Sequence, residues 1–191
     1  MLAITELYLS QNLVSFNLTY NVNKIHRVDS ITFINSILYV QSTSLILNFC
    51  SFNNSQIYIK GSDSSLILFS NSIWIGNLCL SAEQCKIVSF WKCKFSDLKN
   101  LNNQMLLLNN LEVHIKYCFF VNISGFMMKA KTCSFIHISY VVIKHIGIFG
   151  RSQEQNHSLF VVYQANIIDF NNSQFKNIRV SAMQFSAVSY I

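Results

Sequence analysis

Leu45-Ile46-Leu47-Asn48-Phe49-Cys50-Ser51-Phe52 is the stretch on which the reading of this chain turns. It carries apolar residues at its first, third and eighth positions and a small residue at its sixth. The pattern returns from Leu66, Val88, Val113, Ile136 and Ile168, at intervals of 21, 22, 25, 23 and 32 residues. The sixth positions then hold Asn71, Cys93, Cys118, Val141 and Ser173, and the eighth hold Ile73, Phe95, Phe120, Ile143 and Phe175. Two residues further on stand Asn54, Asp97, Asn122, His145 and Asn177, with Ile75 in the second copy. A rival register for that copy sets Phe69-Ser70-Asn71-Ser72 against Phe52-Asn53-Asn54-Ser55. Self-similarity at this period marks a stacked repeat.

Within a copy the apolar residues alternate, the period of a strand with one buried face. The phase slips by one between the third and sixth positions, so the chain must bend there to keep pointing inward. An Asn turn follows, and Asn tolerates the left-handed conformation better than other non-glycine residues. A third apolar group comes next: Ile57 and Ile59, Phe126 and Met128, Val180 and Ala182. β-Branched and aromatic residues crowd every copy, which disfavours helix. The predicted fold is all-β: a single-stranded parallel β-helix (β-solenoid) of about six to seven coils. Its coils stack at ~4.8 Å, and amide-to-amide bonds make an internal Asn ladder. Val14, Phe16, Leu18, Tyr20 and Val22 alternate as a further strand, a candidate first coil. Residues 1–191 read as one β-helix domain, a fragment of a longer solenoid, with the polar stretch 150–157 an inserted loop.

Composition bounds the alternatives. The chain has 191 residues, 51% of them apolar and 12% charged, and a mean hydropathy of +0.33. Such a chain collapses in water rather than staying disordered. No apolar run approaches the ~20 residues a bilayer requires. The +6 charge is scattered, with its densest group at Lys92, Lys94 and Lys99, and no segment reads as a nucleic-acid arm. Six cysteines form no C-x-x-C, so zinc-ribbon and thioredoxin spacings are absent. Cys50, Cys93 and Cys118 share one inward column and read as buried free thiols.

Cys50-Ser51-Phe52-Asn53-Asn54 and Cys118-Phe119-Phe120-Val121-Asn122 form a C-x-F-x-N pattern. It resembles the repeats of right-handed parallel β-helices of the pectin-lyase-like superfamily, of the polymorphic outer-membrane and protist surface-protein type. The resemblance covers about residues 42–182 and implies a surface location. The rival solenoid is the leucine-rich repeat, whose L-x-L-x-x-N/C-x-L also fits the copies but calls for a further Leu three residues earlier. Ser42, Asp63, Cys85, Asn110, Cys133 and Ala165 stand there instead.

Stacking turns equal positions into columns. One step after each start come Ile46, Ile67, Ser89, His114, His137 and Asp169; the column beside it is Asn48, Phe69, Trp91, Lys116, Ser139 and Asn171. Ser89, Trp91, His114, Lys116, His137 and Asp169 are therefore the candidate ligand-binding residues of an outer face. Trp91 with Lys116 suits an acidic sugar. Two imidazoles and a carboxylate are donors a divalent metal accepts, yet outward positions are polar simply because water is there, and no metal, cofactor or catalytic residue is assigned. The carboxylates are spread too thinly for an acid–base pair.

The expected function is that of a non-catalytic β-solenoid segment of a larger surface or extracellular protein, a scaffold or adhesive surface with weak carbohydrate binding. Its expected partners are carbohydrate, other surface proteins and flanking repeats stacked on the coil ends, with no nucleic acid and no membrane span within the chain. The alternatives are a degenerate carbohydrate-active enzyme, polysaccharide lyase- or hydrolase-like, with its groove at His114, His137 and Asp169, and a leucine-rich-repeat-like interaction module.

Overall fold

The computed structural model describes residues 8–9, 15–19, 25–41, 44–100, 106–109, 112–125, 127–147, 158–178 and 181–186. A representative coil contains three strands, Ser44–Asn48, Ser51–Asn53 and Gln56–Lys60. Each pairs in parallel with its counterpart one coil away, giving three parallel sheets of seven, eight and eight strands. The first sheet defines seven coils, numbered here in order: Ile25–Asp29, Ser44–Asn48, Leu66–Ser70, Ile87–Trp91, Glu112–Lys116, Phe135–Ser139 and Ile167–Asn171. Tyr8–Leu9 and Ser15–Thr19 add a strand each to the second and third sheets, beside coil 1. The chain is thus a parallel β-solenoid. Three strands per coil, and no helix among the described residues, do not match the leucine-rich alternative, which needs one strand and a helical or 3₁₀ segment.

The register corrects three expectations. Leu45 pairs with Ile67 and Ile67 with Val88, so the second copy starts at Ile67 rather than Leu66. Its small residue is Ser72, its closing apolar residue Trp74, and the rival register fails as well, because Phe52 pairs with Trp74. A coil went unread upstream: His26 pairs with Leu45 and Phe33 with Phe52. On the third strand Ile57 and Ile59 stand in register, coil by coil, with Met128 and Ala130 rather than with Phe126 and Met128; Met128 is buried as expected, and Phe126 and Val180 lie outside the described residues. The interval of 32 between Ile136 and Ile168 stands, while residues 150–157 lie outside the described residues.

The bend is made by single left-handed residues. At the fifth position φ is positive in all seven coils, at Ser30, Phe49, Asn71, Lys92, Tyr117, Tyr140 and Asn172; nine residues after each start it is positive again, at Asn35, Asn54, Gly76, Asp97, Asn122, His145 and Asn177. The first corner explains the phase slip, since it leaves two outward residues in succession. Its backbone stays in the ladder: Lys92 N–H donates to the Lys116 carbonyl at 3.0 Å, and Lys94 N–H to the Ser72 carbonyl at 2.9 Å. Buried backbone groups must be paired, and here the corners are stacked as strictly as the strands. In five of the seven coils the sixth position is a Ser or Cys that donates back across this corner, while coils 1 and 6 carry Ile31 and Val141 there. The Ser72 hydroxyl bonds the Ser70 carbonyl at 2.8 Å, and the Cys118 thiol bonds the Lys116 carbonyl at 3.3 Å.

The second corner carries the asparagine column, but on the outside. Asn54, Asp97, Asn122, His145 and Asn177 are exposed, so the ladder is not internal; its amide-to-neighbour bonds are Asn122 Nδ2 to Asp97 Oδ1 at 3.0 Å and Asn177 Nδ2 to His145 Nδ1 at 3.4 Å. The Asn residues stand there for their tolerance of positive φ.

The interior is built of columns of like residues. Phe33, Phe52, Trp74, Phe95 and Phe120 stack face to face along the axis, with centroids 5.0, 5.0, 4.5 and 4.4 Å apart. Phe69 and Phe90 form a second stack at 5.1 Å that meets the first edge-on. Phe52, Phe95 and Phe120 are fully buried as expected, whereas Phe175, on the outermost described strand of its sheet, is 36% exposed. All six cysteines are free, and five of them are buried.

Candidate functional site

The first sheet presents its outer face between the residues that point inward. Ser89, His114, His137 and Asp169 are successive register partners, the column that the repeat predicts. Leu68, not Ile67, continues it into coil 3, and in the neighbouring column Ser70 takes the place of Phe69, which is buried. That neighbouring column runs Asp29, Asn48, Ser70, Trp91, Lys116, Ser139 and Asn171.

At coils 6 and 7 the column is hydrogen-bonded. His137 Nδ1 lies 2.6 Å from Asp169 Oδ2, and His137 Nε2 lies 3.0 Å from Ser139 Oγ. An ionised carboxylate only accepts, so Nδ1 carries the hydrogen, and in the neutral ring Nε2 accepts from the Ser139 hydroxyl. The partner order is that of a hydrolase triad, but the surroundings are not. Ser139 is buried and the adjacent Tyr140 N–H is engaged by the Asn171 carbonyl at 3.2 Å, so neither an accessible nucleophile nor that oxyanion donor is offered. The trio instead ties coil 6 to coil 7.

His114 is set apart from it. Its ring centroid is 6.2 Å from that of His137, and its Nε2 is 3.7 Å from Glu112 Oε2, too far for a hydrogen bond. Burial holds the His114 pKa below its usual value, partly offset by Glu112, so its imidazole is neutral at pH 7. Among the described residues no three His, Cys, Asp or Glu side chains come together as a metal site.

At the other end of the face Asn48 gathers three coils. Its Nδ2 donates to Asp29 Oδ1 at 2.9 Å, and its Oδ1 accepts from Ser70 Oγ at 2.8 Å and Asn71 Nδ2 at 3.0 Å. Arg27 Nε donates to Asp29 Oδ2 at 2.7 Å, and this bond first of all keeps the Asp29 carboxyl below its usual pKa.

Between the two polar ends lies an aromatic ridge that the sequence columns missed. Trp91 meets Tyr117 edge to face at 4.8 Å, and Tyr117 stacks on Tyr140 at 4.9 Å. All three rings are exposed. Tyr117 and Tyr140 occupy the left-handed corner, immediately beside the Trp91 and Lys116 column, and Lys92 shares that corner. In coils 4 to 6 the two columns carry lysines and no carboxylate. The missed signal was a Tyr at the fifth position of two consecutive copies.

No family model matches this sequence, and no curated protein and no solved structure is significantly similar to it. Among the described residues no helix is long and apolar enough to cross a membrane.

Proposed function

We propose that this chain is a non-catalytic segment of a surface or extracellular scaffold, and that its first outer face holds carbohydrate along the ridge of Trp91, Tyr117 and Tyr140. The ridge is the observation that carries the reading. Exposed aromatic rings in contact, flanked by Lys92 and Lys116, offer apolar surface for sugar C–H groups and positive charge for acidic substituents. Seven in-register coils make a stiff rod, in which each coil contacts only its neighbours, a form suited to display rather than to closure around a substrate. A relation to pectin-lyase-like surface proteins belongs to the same proposal; its support is the three-sheet coil and the C-x-F-x-N repeat.

The test is an array of neutral and acidic glycans probed with the whole chain and with Trp91→Ala. Binding without turnover, weakened at least tenfold by the substitution, is the expected result. Cleavage of any polysaccharide overturns the non-catalytic reading in favour of the enzyme alternative, and equal binding by Trp91→Ala overturns the ridge.

A further inference from the structure

Two pairs of tyrosines stack across neighbouring coils. Tyr117 and Tyr140 lie with centroids 4.9 Å and planes 11° apart, and Tyr39 and Tyr58 lie 5.3 Å and 17° apart. The first pair is the more open. Its members are 39% and 49% exposed, and no described side chain hydrogen-bonds either phenol. In the second pair Tyr58 is half-buried and its hydroxyl donates to Gln56 Oε1 at 2.8 Å. The backbone also pre-positions the first pair. Both residues hold the same left-handed corner, with φ of 56° and 54°, and the Tyr117 N–H donates to the carbonyl of Ser139, the residue before Tyr140. The two rings are therefore kept adjacent by the coil register itself, the condition under which an intramolecular reaction outruns the bimolecular one.

We propose that Tyr117 and Tyr140 form an oxidative coupling site, joined ring to ring when a haem-peroxidase-class oxidant and hydrogen peroxide act on the protein. Each phenol gives up one electron and one proton, leaving two phenoxyl radicals. These combine through the carbons ortho to the oxygens, forming one carbon–carbon bond. Each of those carbons then loses its proton while each oxygen regains one, restoring two phenols. Hydrogen peroxide accepts the two electrons and two protons and leaves as two waters. The product is a covalent staple between coils 5 and 6 on the exposed corner. It goes beyond the carbohydrate-binding proposal and requires no ligand on the ridge.

The experiment treats the whole chain, dilute, with a haem peroxidase and hydrogen peroxide, then reads dityrosine fluorescence, intact mass and tryptic peptides. The expected product is a species of monomer size lacking two hydrogen atoms, in which peptide 117–129 is joined to peptide 132–144. Its yield exceeds that of any Tyr39–Tyr58 product several-fold. Tyr117→Phe and Tyr140→Phe keep the ring stack and the fold, checked by circular dichroism, and each lowers the joined peptide at least tenfold; Tyr163→Phe leaves it unchanged. Coupling seen only between chains, or a joined peptide that survives in Tyr140→Phe, overturns the proposal. Glycan binding is read separately, so either idea can fail alone.

Discussion

Truncating Phe95 to Ala removes the fourth of five rings stacked along the axis. The ring is fully buried, lies 4.5 Å from Trp74 on one side and 4.4 Å from Phe120 on the other, and meets Phe90 edge-on at 5.8 Å. Phe→Ala in a core costs about 3–5 kcal/mol, and each aromatic pair is worth about 0.5–1.5 kcal/mol beyond its buried area. Collapse cannot soften the loss. The strand Lys94–Asn100 is hydrogen-bonded into a ladder on both sides, so its backbone cannot move inward to fill the void. The expected cost is therefore at the upper end, about 4–5 kcal/mol. Phe175→Ala is the internal control from the same column. It is partly exposed, stacks on Ile143 on one side only and meets Phe160 edge-on at 6.5 Å, so its loss is expected to be about 1 kcal/mol. Denaturant unfolding followed by circular dichroism and by tryptophan fluorescence gives both values. Because coils couple only to neighbours, the Phe95 variant is also expected to unfold in two phases. A cost below about 1 kcal/mol at Phe95, or equal costs at the two positions, would refute the inward stack.

Phe49 is 61% exposed at φ 54°, a conformation unfavourable to a bulky side chain, and Phe49→Asn is expected to raise stability by about 0.5–1 kcal/mol; a lowered melting temperature would count against the corner assignment. Asn48→Ala removes the hub joining Asp29, Ser70 and Asn71 and is expected to cost about 1–2 kcal/mol, read as a shifted unfolding midpoint. Burial pushes the Cys85 thiol from 9.0 up to about 11, so its native proton is held where the unfolded thiol has lost its own. That contribution is complete below pH 9.0 and disappears as pH rises through about 11. Unfolding midpoints should thus fall across this window and less steeply in Cys85→Ala, and a flat profile would exclude the buried thiol as the cause.

Much of the fold was legible because burial and period coincide. Phe52, Phe95 and Phe120 stand at one position of a clear repeat and are found in one stack. Where side chains gave no phase the reading slipped. Leu66-Ile67-Leu68-Phe69 is apolar at every step, so only Ser72 and Trp74 downstream could place it. Coil 1 was hidden because His26 stands where other coils carry an aliphatic residue, and its Nε2 is buried without a hydrogen-bond partner. The asparagines were placed correctly in sequence but inside rather than outside, since their value lies in the backbone angle and not in amide pairing. Of the site, Ser89, His114, His137 and Asp169 were found as a column from spacing alone. Tyr117 and Tyr140 were missed because tyrosine has no preference for positive φ; the ladder imposes that conformation, and local propensity cannot announce it.

From each coil's first inward residue to its second corner the count is nine in all seven coils, from His26 to Asn35 through Ile168 to Asn177. All variation between starts, from 19 to 32 residues, therefore falls in the remainder of the turn. One flank of the rod tolerates no change in length, because a single added residue would displace one or both rows of corners. The other flank accepts added chain without disturbing its neighbours. Grafted peptides, and new loops acquired in the course of evolution, have one side of this molecule on which to accumulate, leaving the ridge of Trp91 and its tyrosines unencumbered.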